Sequence, residues 1–140
     1  MKRERKWLKM KCFIGQRVTG EDINELMKEM DEIYLALDKS GHEYYCTLKE
    51  GSRFQDKSKK DMMTHAFKMI EEHDSFLAIV RNEGKSEGML MEIGYCLAKN
   101  KKIILLIKNT VKDTYLREIA DKIIEFNDKK DMINKLKKLI

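Results

Sequence analysis

Hydrophobic residues along this chain follow two different spacings. Short runs that are apolar nearly throughout are typical of buried strands, and stretches with an apolar residue every three or four positions are typical of amphipathic helices. The two patterns alternate along the chain, which predicts five β and α units around a parallel sheet. Right-handed crossovers give such a chain an α/β fold, a three-layer sandwich around a five-stranded parallel sheet of order 2-1-3-4-5. The predicted strands are Lys11–Ile14, Glu43–Thr47, Ser75–Val80, Lys102–Ile107 and Lys122–Phe126.

The first helix is predicted from its apolar stripe and from the residues at its ends. Thr19, with Asp22 three positions later, resembles a capping box, so we expect the helix to start there. The pair Ser40-Gly41 is expected to end it. The predicted inner-face residues are Ile23, Leu26, Met30, Ile33 and Leu37.

A polar stretch separates the second strand from the second helix. Because Leu48–Lys60 has neither the strand spacing nor the helix spacing, we predict a mobile loop over the sheet edge. Ser58 and Asp61 offer a capping pair for the helix that follows. Further helices are predicted at Ser86–Lys99, at Thr114–Ala120 and near the last residues of the chain.

Length and composition limit the class of protein. The chain has 140 residues, so residues 1–140 are expected to form one domain. Hydrophobic residues make up 42%, which excludes a disordered chain. The longest apolar runs, Phe76–Val80 and Ile103–Ile107, are far shorter than the roughly 20 residues that a membrane span needs. With no apolar signal segment near the first residues, the sequence predicts a cytoplasmic protein that does not bind membranes.

The formal net charge of +5 is confined to the first residues. Residues 1–11 contain six lysines and arginines and one glutamate, so residues 12–140 sum to zero. We interpret residues 1–10 as a basic arm that aids solubility. Such an arm can touch phosphates, but no aromatic stacking run or known nucleic-acid module accompanies it, so nucleic-acid binding is not expected.

The cysteines and histidines lack the spacing of a metal site. Cys12, Cys46 and Cys96 are odd in number, widely separated and without a CxxC pair, so we predict buried free thiols. The three histidines have no ligand spacing either. We therefore expect no metal and no cofactor.

The strand order 2-1-3-4-5 predicts where a ligand binds. Its switch point lies between strands one and three, so the loops Gly15–Gly20 and Arg81–Glu87 should border the site. In the first loop, Gly15, Gln16 and Arg17 are candidate substrate-binding residues, because a guanidinium suits a phosphate or a carboxylate. A surface arginine in an ordinary turn is the alternative.

The second loop leads into the start of a helix. Ser86 is a predicted N-cap, and Gly88 leaves the first turn open, so backbone N–H groups can cradle an anion there. The alternative is a capping serine with no ligand. Both residues are candidate substrate-binding residues.

The helix after Ser86 is apolar on both faces, and Glu92 is its only charge between Glu87 and Lys99. Its predicted inner stripe is Leu90, Ile93 and Leu97, with Met91 and Tyr95 on the opposite face. Because a surface helix should be polar on its outer face, we expect another subunit to cover it, in a homodimer or higher homo-oligomer. A lone glutamate in a helix is usually solvated, but apolar company at the ligand edge makes Glu92 equally a candidate catalytic carboxylate.

Two segments resemble a known enzyme family. Cys12-Phe13-Ile14-Gly15 and Ser86-Glu87-Gly88-Met89-Leu90-Met91-Glu92-Ile93-Gly94-Tyr95 are similar to motifs of the nucleoside 2-deoxyribosyltransferases and of their sister branch, the deoxynucleoside 5′-monophosphate N-glycosidases. The resemblance extends from about Lys11 to Phe126, and Glu-Ile-Gly-Tyr is its most specific part. It implies a flavodoxin-like sheet, assembly at least as a dimer, and Glu92 as the nucleophile that attacks C1′ of deoxyribose.

The resemblance also bears on the substrate. The transferases usually carry an aspartate six residues before the nucleophile, whereas the glycosidases carry a serine that contacts the 5′-phosphate, so Ser86 favours a nucleotide. The chain departs from the family pattern at Cys12, where a tyrosine is common, and at Ala66, where an aspartate is expected. His65 and Asp61 are nearby substitutes for the acid-base assistance of that aspartate.

The sequence therefore predicts an enzyme that cleaves or transfers the N-glycosidic bond of a (deoxy)nucleoside or its 5′-monophosphate. Glu92 would attack the anomeric carbon, and water or a second base would take the sugar with overall retention. Ser86, Arg17 and the two glycine-containing loops would hold the sugar phosphate. The alternative is a catalytically weakened nucleotide-binding or signalling module on the same fold. A small-molecule nucleoside or nucleotide is the expected ligand.

Overall fold

A computed structural model of the chain describes residues 9–18, 20–54, 56–84 and 86–139. Residues 1–8, most of the predicted basic arm, lie outside these ranges. The elements in chain order are β1 Lys11–Gln16, α1 Ile23–Ser40, β2 Glu43–Tyr45, a 3₁₀ helix Thr47–Phe54, α2 Lys59–Glu71, β3 Ser75–Val80, α3 Glu87–Ala98, β4 Lys102–Lys108, α4 Leu116–Ile119, β5 Lys122–Phe126 and α5 Lys129–Leu136.

The five strands form one parallel sheet in the order β2-β1-β3-β4-β5. Side chains of β3 show how the sheet is covered, since successive residues point to opposite faces. Phe76 and Ala78 pack with residues of α2 and α3, and Leu77 and Ile79 pack with residues of α1 and α5. This arrangement confirms the predicted α/β flavodoxin-like sandwich of three layers.

The start predicted for α1 is wrong. Asp22 caps the helix, because its carboxylate accepts the backbone N–H groups of Asn24 and Glu25 at 3.0 and 3.2 Å. Thr19, the predicted cap, lies outside the described residues, and Gly20 adopts a left-handed φ of 84° that no helix contains. Ile23 is consequently the first helical residue and is 45% exposed instead of facing the core.

The other end of α1 is confirmed. Gly41 has a φ of 84°, and its N–H and that of His42 bond the carbonyls of Asp38 and Leu37. The remaining predicted inner-face residues, Leu26, Met30, Ile33 and Leu37, are buried.

The segment predicted as the loop Leu48–Lys60 is mostly helical. Thr47–Phe54 forms a 3₁₀ helix, and α2 begins at Lys59 with Ser58 as its cap, as predicted. A helix with three residues per turn leaves no stripe of period 3.6, which explains why the sequence pattern did not reveal it. β2 ends at Tyr45 because the 3₁₀ helix follows almost directly.

Of the predicted inner stripe of α3, Ile93 is confirmed, and Leu90 and Leu97 are wrong. The buried residues are Met89, Ile93 and Cys96, and Leu90 and Leu97 are 39% and 47% exposed. With apolar residues all round the helix, periodicity alone does not define the inner face. The spacing 89, 92, 93 and 96 is that of a single helix face, so Glu92 belongs to the face that packs on the sheet.

The sequence pattern predicted that Tyr95 points away from the subunit, and this prediction is wrong. Its ring stacks on Phe67 of α2 with centroids 4.2 Å apart, and its hydroxyl donates a hydrogen bond to Glu71. The outer face of α3 is therefore formed by Leu90, Met91 and Leu97.

Cys12, Cys46 and Cys96 are free and buried, as predicted. Burial raises the pKa of both Cys12 and Cys46 to about 11, so each keeps its proton at neutral pH. In the described ranges, none of the helices has the length and hydrophobicity that crossing a membrane requires. The same ranges contain no cluster of three metal-binding side chains.

Candidate active site

The carboxyl ends of β1 and β3 lie side by side, and the chain leaves them in opposite directions. β1 leads through α1 to β2 at one side, and β3 leads through α3 to β4 at the other. Ligand crevices of parallel α/β sheets form at such a point. Residues 17–18, 20–22, 81–84 and 86 therefore border the candidate site.

Glu92 extends from the buried face of α3 toward the end of β1. Its Oε1 atom is 3.2 Å from the position that a Cβ atom on Gly15 would occupy, and Phe76 Cζ is 2.3 Å from the same position. No side chain fits at residue 15. Gly15 is part of β1 rather than of the loop after it, so a rigid strand holds this contact.

The environment of Glu92 favours its neutral form. Burial raises the pKa of the Glu92 carboxyl to about 7. Among the described residues, none forms a hydrogen bond or an ion pair with this carboxyl group. A carboxyl group that is buried without a charge partner is costly for the fold, and such groups are concentrated at functional sites.

Arg17 links the two loops of the crevice. Its guanidinium donates a hydrogen bond to Asn82 Oδ1 at 3.2 Å and lies 3.8 Å from the carboxylate of Glu21. It passes directly over Gly84, since Arg17 Nη1 would be 1.7 Å from a Cβ atom there. The cation is thus oriented by contacts with both loops.

Ser86 and Gly88 form the start of α3 as predicted. The Ser86 hydroxyl caps the helix by accepting the N–H of Met89 at 3.2 Å, and its own hydrogen remains able to donate to a ligand oxygen. At Gly88, a Cβ atom would meet only Met63 Cε at 3.6 Å. The first turn of α3 therefore presents backbone N–H groups with little side-chain cover.

Gln16 lies in β1 and is almost fully buried. Its Nε2 atom contacts Cys46 Sγ at 3.8 Å, and its Oε1 atom is buried with no hydrogen-bond donor among the described residues. An unsatisfied buried acceptor costs about 1–3 kcal/mol, so such atoms call for an explanation.

Two surface crevices lie at this edge, and Glu92 is not among the described residues that line them. Arg17 lines one crevice, Ser86 lines the other, and Met89 lines both. Met89 is three residues before Glu92 on the same helix face and is only 6% exposed. The crevices therefore border the helix face that carries the carboxyl group.

One pair of residues beside the site was not predicted as a unit. The hydroxyl of Tyr45, at the end of β2, lies 3.0 Å from His65 Nε2 on α2. The sequence indicated no partner for His65, because two residues 20 positions apart become neighbours only when the chain folds. Asp61, named beside it, is exposed in the first turn of α2.

Comparison with solved structures places this architecture among known proteins. A CMP N-glycosidase, BcmB, from Clostridium botulinum is 24% identical, with a TM-score of 0.66 over 90% of this chain and 96% of that one. A conserved protein from Enterococcus faecalis V583 is 16% identical, with a TM-score of 0.63 over 93% and 98%. A 2-deoxyribosyltransferase from Bacillus psychrosaccharolyticus is 19% identical, with a TM-score of 0.60 over 89% and 90%.

No protein-family model and no curated protein sequence matches the chain. The likeness is therefore carried by structure, over nearly the full length of each protein compared. At these identities it establishes a common fold, and it agrees with the resemblance found in the sequence motifs. The chain has the fold of an N-glycosidase and of a deoxyribosyltransferase.

Proposed function

We propose that the chain, as a single domain of residues 1–140, is a member of the nucleoside 2-deoxyribosyltransferase-like family. It cleaves or transfers the N-glycosidic bond of a nucleoside or its 5′-monophosphate. The names of the similar structures, a CMP N-glycosidase and a 2-deoxyribosyltransferase, support this reaction class. The observation that carries the proposal is the buried carboxyl group of Glu92 against the backbone of Gly15.

In the first step, a carboxylate oxygen of Glu92 attacks the anomeric carbon. A C1′–O bond forms, the C1′–N bond breaks, and the base leaves with the bonding electrons. Water, or a second base in a transfer reaction, then displaces Glu92 and restores the original configuration. A pKa near 7 leaves a substantial ionised fraction at neutral pH, and burial keeps that carboxylate poorly solvated and hence reactive.

The 5′-phosphate of a nucleotide would bind at the two loops that follow β1 and β3. Arg17, the Ser86 hydroxyl and the open first turn at Gly88 supply positive charge and N–H or O–H donors, which suit a 5′-phosphate. Gln16 plays a different part, because its unpartnered Oε1 atom only accepts hydrogen bonds. It therefore contacts a sugar hydroxyl or a base amino group rather than the phosphate.

The alternative, a weakened nucleotide-binding or signalling module, explains less of the site. A binding module has no use for a buried carboxyl group without a partner, and this group imposes a cost on the fold. The carboxyl group of Glu92 points to the end of β1. A ligand that binds at this edge of the sheet would lie there. This orientation favours the enzymatic function.

We further propose that the protein acts as a homodimer built on the outer face of α3. Leu90, Met91 and Leu97 are between 39% and 53% exposed, and the neighbouring Gly94 adds no side chain. A two-fold contact of this face with its own copy would cover the apolar residues. It would also bring the second subunit close to the start of α3 and the crevices there.

The reaction is tested by incubating the protein with nucleosides and their 5′-monophosphates, ribo and deoxy, and separating free base by chromatography. CMP is tested first, given the name of the C. botulinum protein. We expect base release by the wild type and none by Glu92→Ala, whose helix tolerates alanine well. A second free base added to the reaction distinguishes transfer from hydrolysis, since only transfer yields a new nucleoside. No base release from any substrate, or unchanged release by Glu92→Ala, would contradict the proposal.

A further inference from the structure

The side chain of Asn82 joins the two loops that border the candidate site. Its Oδ1 atom accepts a hydrogen bond from Arg17 Nη1 at 3.2 Å and a second one from the backbone N–H of Gly84 at 2.8 Å. Because both partners are donors, the amide must present its carbonyl oxygen to them. One uncharged oxygen atom therefore links the loop after β1 to the loop after β3.

The register of the sheet explains why Arg17 reaches Asn82. Gln16, the last residue of β1, pairs with Ile79 of β3, so Arg17 leaves the sheet beside the end of β3. Its guanidinium then crosses Gly84, where Nη1 would be 1.7 Å from a Cβ atom. A side chain at Gly84 would push the guanidinium away, so the glycine is part of the arrangement that brings Arg17 to Asn82.

Asn82 also borders the space beside both side chains that are proposed to bind the phosphate. Arg17 lines one surface crevice, Ser86 lines the other, and Asn82 lines both. Arg17 supplies positive charge and the Ser86 hydroxyl supplies a hydrogen-bond donor, and one phosphate group has oxygen atoms for both. Asn82 thus lies between the two groups that a single phosphate would contact.

Other charged side chains at the crevices already include carboxylates. Arg81, which also lines the first crevice, donates a hydrogen bond from its Nε atom to Glu29 of α1 at 2.8 Å, so its charge is balanced there. Glu21 lies 3.8 Å from Arg17 Nε, beyond a direct hydrogen bond, and Glu83 lines the second crevice. A carboxylate in place of the amide would bring a further negative charge within hydrogen-bond distance of the guanidinium. The neutral amide orients the guanidinium without adding that charge.

We propose that Asn82 is a positioning residue for Arg17, and that its lack of charge makes the site selective for a 5′-monophosphate over the nucleoside. This role rests on the proposed function, in which Arg17 and Ser86 bind the phosphate.

Two physical effects contribute to this selectivity. The Oδ1 atom of Asn82 holds the guanidinium before a ligand arrives, so less conformational freedom is lost when the phosphate binds. The amide also leaves the positive charge of Arg17 to the phosphate. An aspartate would hold the guanidinium in the same place, but its negative charge would repel the phosphate.

Asn82→Asp separates the position of Arg17 from its charge, because it keeps the acceptor oxygen and adds one negative charge. The measurement is kcat/KM of base release for a 5′-monophosphate and for the matching nucleoside. We expect the ratio of the two values to fall about 10-fold or more, mainly through KM, since the phosphate is bound equally before and during the reaction. A purely structural role of Asn82 would let aspartate replace it with no change in the ratio. Asn100→Asp is the matched control, because Asn100 is exposed beyond the other end of α3 and its left-handed φ of 57° suits aspartate too.

A double-mutant cycle tests whether Asn82 acts through Arg17. Asn82→Ala should lower the nucleotide-to-nucleoside ratio of the wild type and leave the ratio of Arg17→Ala unchanged. Additive losses, or a ratio for Asn82→Asp equal to that of the wild type, would overturn the role of Asn82 while leaving Glu92 as nucleophile. Equal kcat/KM for nucleotide and nucleoside in the wild type would overturn it as well. A wild type that releases no base from any substrate overturns the proposed function itself.

Discussion

The carboxyl oxygen of Glu92 lies 3.2 Å from where Gly15 would carry its first side-chain atom. This contact joins the two motifs whose sequences resemble a nucleoside-processing family, although 77 positions separate them. The strand order makes the contact possible, because β1 and β3 are neighbours and α3 follows β3 directly. A strand residue without a side chain and a buried carboxyl group are therefore one structural unit.

Substitution of Gly15 tests this unit. In Gly15→Ala the new methyl group would meet Phe76 Cζ at 2.3 Å, so we expect a loss of about 1–3 kcal/mol in the free energy of unfolding and a loss of base release. Adding Phe76→Leu removes the clashing ring atom and should recover part of the stability. Urea denaturation of the two single variants and the double variant measures the coupling. Additive losses would show that residues 15 and 76 do not compete for this space.

The pKa of Glu92 predicts a stability that depends on pH. Between about pH 4.5 and 7 the folded protein keeps the Glu92 proton while the unfolded chain has lost it, so the wild type loses stability as pH rises through this window. Glu92→Gln removes this loss. We expect the variant to match the wild type near pH 4 and to exceed it by up to about 3 kcal/mol at pH 8.

Denaturant unfolding at both pH values measures the difference. Glu87→Gln is the control, because Glu87 lies in the exposed first turn of the same helix and should give no such gain. An advantage of Glu92→Gln that is equal at pH 4 and pH 8 would mean that burial does not raise the pKa of the Glu92 carboxyl.

The sequence predicted some elements of the fold better than others. The bounds of the strand Ser75–Val80 were predicted correctly. A continuous apolar run with polar residues on both sides shows where a buried strand begins and ends. The face of α3 was not predicted correctly, since both Leu90, Ile93, Leu97 and Met89, Ile93, Cys96 are separated by three and four residues, as one helix face requires. Only the packing on the sheet decides between two apolar stripes.

The same limit applied to the site. Gly15, Arg17 and Ser86 could be placed at one sheet edge from the strand order, because each follows or ends a predicted strand or begins a helix. The positions of Asn82 and Gly84 beneath the Arg17 guanidinium could not, since loop side chains have no periodicity. The contacts of Asn82 and Gly84 with Arg17 can be seen only in the three-dimensional structure.

Ser86 offers a test of phosphate binding that spares the helix. Ser86→Gly removes the hydroxyl but costs the helix only a few tenths of a kcal/mol, because glycine is tolerated at an N-cap. A hydrogen bond to a charged group contributes about 1.5–3 kcal/mol, so we expect kcat/KM for a 5′-monophosphate to fall about 10- to 100-fold. The value for the matching nucleoside should change little. Ser58→Gly, which removes the cap of α2, is the control for capping alone. Equal losses on nucleotide and nucleoside would remove Ser86 from the phosphate subsite.

The outer face of α3 leads to a prediction about assembly. Met91 is 53% exposed in the single subunit, so a lysine there has room and should not impair folding. In a two-fold interface the same lysine would be buried without a partner, at a cost of several kcal/mol. We expect Met91→Lys to be monomeric by light scattering at micromolar concentration, and its base release to fall because the partner no longer borders the crevices. Leu35→Lys is the matched control, since Leu35 is 67% exposed on α1.

Substitution of Gly94 by alanine gives a second test of the interface, because it should stabilise the folded subunit and weaken the dimer. Nothing lies within 4 Å of a Cβ atom at Gly94 in the subunit, so Gly94→Ala should raise the stability of the monomer by about 0.8–1 kcal/mol through helix propensity. If two copies of α3 meet at this position, the added methyl group holds them apart and the dimer dissociates more readily. Thermal unfolding of Gly94→Ala in the Met91→Lys background isolates the first effect, and dilution of Gly94→Ala alone isolates the second. A wild type that is monomeric at micromolar concentration would contradict the proposed homodimer. A Met91→Lys variant that stays dimeric would place the interface away from α3.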